Sequence, residues 1–178
     1  LGKLKEAEIS YRKAIKLNAN NSIAHANIGL ILSELGKLQE AFDYYMKAIE
    51  IKPIPSIYHY ITRFLRDSDL SQLNKLKLKN ILNILLEKND VNHKELFKTF
   101  NFLYSNEIII ILEKLDSDFS KIELLINDKV IINALKKVIF KDIRMEKVLT
   151  KLRRKICDRI DKNRETINYY ELEFIIAL

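Results

Sequence analysis

Three histidines, His25, His59 and His93, stand 34 residues apart, and a single cysteine, Cys157, directly follows Arg153, Arg154, Lys155 and Ile156. Imidazoles serve as general bases or metal ligands, and a thiol among cations is a candidate nucleophile. Neither set completes a site. Equal spacing puts the histidines at equivalent points of successive structural units, too far apart to converge on one metal, and no cysteine or carboxylate cluster joins them. No histidine lies near Cys157 in sequence to act as its base. Ser/His/Asp signatures and zinc spacings are absent, and the only glycines, Gly2, Gly29 and Gly36, do not form a phosphate-cradling loop. The chain is expected to be non-catalytic, with no cofactor and no metal.

Charge offers a second kind of chemistry. The formal net charge is +7, and residues 129–164 carry thirteen basic and four acidic residues, net +9, which leaves −2 for the remainder. Within that segment Met145, Val148, Leu149, Leu152, Ile156 and Ile160 recur at helical spacing, while Lys147, Lys151, Arg154 and Lys155 occupy much of the other side. Such a face can contact nucleic-acid phosphates or an anionic membrane surface. It lacks the interleaved aromatics that stack bases, and no DNA-binding motif surrounds it. A solvated face in a Lys-rich chain is the favoured reading, and nucleic acid is the weaker one.

The elements that would position any site are helices. With 178 residues, 48% of them hydrophobic, and a mean hydropathy of −0.12, the chain can bury a real core. After Pro55 there is neither glycine nor proline, a composition that disfavours sheets with tight turns and favours helices joined by Asn, Asp and Ser. No purely apolar run is longer than Ile108 to Leu112, which is far short of the ~20 residues of a membrane-spanning helix. One cysteine excludes an internal disulfide and suits a reducing, cytoplasmic setting.

Shifting the sequence by 34 residues aligns Gly2 with Gly36, Leu4 with Leu38, Glu6 with Glu40 and Ala7 with Ala41. It also aligns Tyr11 with Tyr45, Lys13 with Lys47, Ala14 with Ala48 and Ile15 with Ile49. This pattern resembles the tetratricopeptide repeat, a pair of antiparallel helices with that period. The residue types have physical reasons. Ala41 and Ala48 lie on one helical face and let a neighbour approach, Gly29 does the same on the partner helix, and Tyr45 fills the space between units. Gly36 can take the left-handed conformation that ends a helix, and Pro53 stops the next one. Ser22 and Ser56 suit the helix N-cap.

The resemblance implies an all-α chain: a tetratricopeptide helix-hairpin solenoid over 1–89, followed by an irregular helical domain over 90–178. Residues 1–21 supply the second helix of one repeat, 22–55 a complete repeat, and 56–89 a degenerate repeat or a capping helix pair. Further helices are expected over Gln72 to Lys88, Asn92 to Tyr104 with a capping box at Asn92 and Glu95, Glu107 to Leu115, Ser120 to Ile126, Asp128 to Lys141, Arg144 to Asp161, and from Thr166 onward. Ile108–Ile111 and Val130–Ile132 could instead be strands, with helix favoured. Both ends read as cut, so an excerpt of a larger, bacterial protein with further domains on each side is expected.

In tetratricopeptide proteins the first helix of each unit lines a concave groove that receives a protein or peptide. Carried onto this sequence, the groove face is Ile23, Ala26, Asn27, Leu30, Ser33 and Glu34. Asn27 stands where related arrays, such as that of O-linked N-acetylglucosamine transferase, present asparagines to a peptide backbone, although Ile61 at the next equivalent position would break such a ladder. A bond within its own repeat is the alternative role for Asn27. A basic clamp for C-terminal carboxylates is not evident. Lys129 to Leu178 also resembles helical regions that precede S-adenosylmethionine-dependent methyltransferase domains in bacterial tetratricopeptide proteins. The function expected is a binding scaffold. The alternatives are the non-catalytic part of a methyltransferase or glycosyltransferase, and a basic helical binder of nucleic acid or anionic surfaces.

Overall fold

A computed structural model describes residues 2–113, 127–138, 146–147, 149–154 and 157–158. The chain is all-α. Its helices are α1 (Gly2–Leu17), α2 (Ser22–Glu34), α3 (Leu38–Ile51), α4 (Pro55–Asp67), α5 (Lys75–Glu87), α6 (Phe97–Glu113) and α7 (Lys129–Lys137), with 3₁₀ turns at Leu70–Gln72 and His93–Leu96. No strand occurs among the described residues; Ile108–Ile111 and Val130–Ile132 are helical. Two compact units result, residues 1–99 and 100–178.

The α2–α3 hairpin is the most extensively packed helix pair of the first unit. Gly29 explains how the two helices come so close. A Cβ on Gly29 would lie 2.9 to 3.1 Å from the Tyr45 ring, and Tyr45, Ala41 and Ala48 are almost wholly buried in the seam. The turn between the helices is a complete Schellman motif. Gly36 sits at φ +76°, its N–H donates to the Ser33 carbonyl at 3.1 Å, and the Lys37 N–H donates to the Leu32 carbonyl at 2.9 Å. The N-cap of α2 is Asn21 rather than Ser22: the Asn21 side chain accepts from the Ala24 N–H at 3.0 Å, while Ser22 is the first helical residue and is buried. Asn caps as well as Ser, and its carboxamide reaches the third N–H from one position earlier.

Helix α1 packs on α2 and is tied to α3 by one side chain. Arg12 donates to Glu8 on its own helix at 2.8 Å and, across to α3, to the Tyr44 hydroxyl at 2.7 Å and Glu40 at 2.9 Å. These bonds, Glu8 first, hold the Arg12 guanidinium well above its ordinary pKa, with partial burial opposing them. A second tie joins α3 to α5. Lys77 meets Asp43 at 2.6 Å, and the Asn74 N–H donates to Gln39 at 2.8 Å.

Helix α4 starts at Pro55, with Ile54 as a cap that makes no side-chain bond, so Ser56 is not its N-cap. Proline at the first helical position has its φ already helical and no N–H to satisfy. The buried residues of α4 are Ile57, Tyr58, Ile61, Thr62, Phe64 and Leu65, and the helix leans on α2, α3 and the His93–Leu96 turn. Helix α5 begins at Lys75 instead of Gln72, because Asp69 caps a separate 3₁₀ turn and Asn74 then caps the helix through the Lys77 N–H at 3.0 Å.

The expected helix from Asn92 to Tyr104 is divided differently. Asn92 meets the Glu95 side chain at 3.2 Å without bonding the backbone as a capping box would, and it precedes a 3₁₀ turn. A single helix, α6, then covers the rest of that segment and the one expected from Glu107, whose last residues, 114–115, lie outside the described residues. Ser105 and Asn106 do not interrupt it, since each costs only a few tenths of a kcal/mol in a helix interior. The first unit extends to Thr99 because this segment is latched to α4. Arg66 pairs with Glu95 at 3.2 Å, and Lys98 donates to the Arg66 and Ser68 carbonyls at 3.0 and 2.5 Å.

In the second unit Phe100 and Tyr104 stack with centroids 5.3 Å apart, and Ile131, Ile132, Ala134 and Leu152 are buried. Burial, then Asp128 and Glu107, pushes the Tyr104 phenol up. Asp128 caps α7 by accepting from Val130 and Ile131 at 2.8 and 3.3 Å. That helix ends at Lys137, where Val138 turns extended. The expected elements over 120–126 and from 166 onward, and residues 139–145, lie outside the described residues.

Candidate functional site: a cleft between the second and fourth helices

The first unit holds an open cleft of about 330 Å³, formed where the C-terminal halves of α2 and α4 run side by side. Leu30, Ser33 and Glu34 come from α2, and Tyr60, Arg63 and Asp67 from α4. Its floor is aromatic: Tyr45 and Phe64 sit with ring centroids 5.3 Å apart.

Local bonding fixes the walls. Ser33 Oγ donates to the Leu30 carbonyl one turn back at 2.7 Å. Burial pushes the Tyr45 phenol up, and the neighbouring Ser33 side chain opposes this more weakly. Arg66 donates twice to Asp67, at 2.8 and 2.9 Å, and holds its carboxyl below the usual range. Asp69, at the cleft's end, accepts from the Ser71 hydroxyl at 2.7 Å, the Ser71 N–H at 3.1 Å and Gln72 at 3.1 Å, which also lowers it.

Three of the six residues expected to face a partner, Leu30, Ser33 and Glu34, therefore line the cleft. Asn27 and Ile23 continue the stripe toward the N-terminus of α2, Asn27 half-buried and Ile23 58% exposed. The Asn27 amide makes no hydrogen bond among the described residues. Ala26, only 1% exposed, belongs to the packed side of the helix. Sequence reasoning passed over Tyr60 and Arg63. The signal was present in the 34-residue shift: these residues stand where the preceding unit has Ala26 and Gly29. Large side chains in place of small ones mean that this face of α4 is turned away from close packing.

The other candidates do not assemble into sites. His25 is buried, with Nε2 3.1 Å from the Ala19 carbonyl and its ring 5.7 Å from that of Tyr44, whereas His59 is exposed and His93 lies in a 3₁₀ turn. Among the described residues no group of three or more His, Cys, Asp or Glu could hold a metal, and no helix is long and apolar enough to cross a membrane. Lys147, Lys151 and Arg154 are exposed around the buried Leu152, and Cys157 is exposed. Lys155, Met145, Val148, Ile156 and Ile160 lie outside the described residues.

Two family models, both described as tetratricopeptide repeat, match residues 1–21 and 22–54. No curated protein and no solved structure matches the chain significantly. The matched boundaries coincide with α1 and with the α2–α3 hairpin whose Gly29, Gly36, Ala41, Tyr45 and Ala48 perform the packing described above. Residues 1–54 match the tetratricopeptide repeat, and this part of the chain has the helix-hairpin architecture that such repeats build.

Proposed function

We propose that the chain binds a protein or peptide segment along the accessible face of α2, with the α2–α4 cleft as the anchoring point. The observation that supports this reading most is the cleft itself, which gathers Leu30, Ser33 and Glu34 against Tyr60 and Arg63 over an aromatic floor. Apolar and aromatic walls with a few convergent polar groups are the usual composition of a ligand-binding cleft. The half-buried Asn27 offers both a donor and an acceptor beside it, as an extended peptide backbone needs. To test this, peptides would be selected from a displayed random library against the purified chain, and their affinity measured by fluorescence anisotropy. The double variant Asn27→Ala, Leu30→Glu should lose the selected peptides while its circular dichroism remains helical. Undiminished binding by that folded variant would sink the proposal.

The exposure of Lys147, Lys151 and Arg154 around Leu152 favours a second surface, one that contacts polyanions. Affinity for DNA or RNA should then fall steeply with salt. Absence of binding at low salt disposes of it.

A further inference from the structure

We infer that the α2–α4 cleft selects a segment of its protein partner that carries a lysine or arginine, inserting that long cationic side chain between Glu34 and the aromatic floor. The inference rests on the peptide-binding reading and adds the chemistry of the occupant.

The cleft is complementary in charge to a cation. Three carboxylates, Glu34, Asp67 and Asp69, line the cleft against one guanidinium, Arg63. They are not equivalent. Asp67 is already held by Arg66, whereas Glu34 and Asp69 form no ion pair among the described residues, and Asp69 accepts only from neutral donors. Helix α2 ends at Glu34, so the negative end of its dipole adds to the same rim. Arg63, whose side chain is 67% exposed, reaches Asp67 only at 3.9 Å and can swing into solvent. Lys98, bound to the last carbonyls of α4, is the remaining cation near that end.

The floor favours the same ligand. Tyr60, 36% exposed, presents aromatic surface at the cleft, backed by the buried rings of Tyr45 and Phe64. An aliphatic stem packs on such rings while its cationic head gains from their quadrupole and from the carboxylates. A volume of about 330 Å³ is at the small end of the range for ligand clefts. It accommodates one long side chain with its flanking backbone. An acidic side chain would meet Glu34 and Asp69, offset only by the outward-lying Arg63.

The test uses the full chain and three fluorescein-labelled peptides that share the same leucine and tyrosine residues and differ only in having Lys, Gln or Glu at the variable positions. The Lys peptide should bind about tenfold more tightly than the Gln peptide, and the Glu peptide least. Two exposed-site variants should move the Lys-peptide affinity in opposite directions. Glu34→Gln should weaken it several-fold, and Arg63→Gln should tighten it. Both effects should shrink as salt is raised. If the Gln or Glu peptide binds as well as the Lys peptide, or if Glu34→Gln and Arg63→Gln leave affinity unchanged, the cationic specificity is wrong while the cleft reading survives. If none of the three peptides shows binding sensitive to Leu30→Glu, both are wrong.

Discussion

The α2–α3 hairpin and the α4–α5 segment occupy the same 34-residue frame, yet their first helices bury different sides. In α2 the buried set includes His25, Ala26, Gly29 and Leu32; the residues at the corresponding positions of α4 are His59, Tyr60, Arg63 and Arg66, all exposed. Conversely, Ile23, Asn27 and Leu30, accessible to differing degrees in α2, correspond to Ile57, Ile61 and Phe64, which are buried in α4. The packed stripe has moved more than about a third of a turn around the helix axis. Periodicity of sequence thus preserves helix placement without preserving helix orientation. Residue volume at the seam decides orientation. Glycine and alanine let α2 and α3 touch, and their replacement by Arg63 and Tyr60 turns α4 so that these larger side chains border the cleft.

Exchanging the residues that distinguish the two helices separates their roles. Ile61→Asn puts into α4 the amide that α2 tolerates. At a fully buried site it should destabilise the protein by about 4 kcal/mol, through lost apolar burial and an unpaired amide. The reciprocal Asn27→Ile should change stability by less than about 0.5 kcal/mol. Urea denaturation followed by circular dichroism reads both, and equal effects would mean that the two helices are not differently oriented. Next in size is Gly29→Leu, which drives a side chain into the buried Tyr45 ring and should cost about 3 kcal/mol. Arg63→Leu, its counterpart 34 residues on, should be nearly neutral by the same assay.

Smaller effects sharpen the picture. Gly36→Ala, at φ +76° with open space around the new methyl, should lower stability by about 1 kcal/mol from backbone strain alone. A thermal melt that moved as far as that of Gly29→Leu would show that the turn, rather than the seam, sets the hairpin. The smallest effect concerns pH. Burial raises the folded Tyr45 phenol above its ordinary value of 10.0, so its stabilising contribution is complete below pH 10 and is lost as pH climbs toward the raised value. Wild type should therefore lose stability relative to Tyr45→Phe from about pH 10 upward. Parallel profiles for the two proteins would place the hydroxyl in solvent.

The hairpin was legible because its residues leave few alternatives. Glycine against tyrosine, two alanines on one face and a left-handed glycine at the turn all describe one packing. The cleft was half legible: Leu30, Ser33 and Glu34 followed from the repeat, but Tyr60 and Arg63 required knowing that α4 had turned. Helix ends were missed where several residues could perform the same task, as Asn21 beside Ser22 and Pro55 beside Ser56. The latch that carries the first unit to Thr99 could not be read, because Arg66, Glu95 and Lys98 belong to segments whose pairing only the folded chain creates.

Two prolines flank the joint between α3 and α4. Lys52 and Ile54 precede them, and both are extended, at φ −155°, ψ 109° and φ −121°, ψ 150°, the conformations that a following proline enforces. A joint of this kind behaves as a rigid bracket rather than a hinge. With its joint restricted and its inner side packed on α2 and α3, the α4 wall is in place before any ligand arrives, so the cleft has little conformational freedom to surrender on binding. A partner should meet it at a rate limited by encounter, with no preceding closure step, and the single-exponential association phase should have a rate constant that rises linearly with peptide concentration.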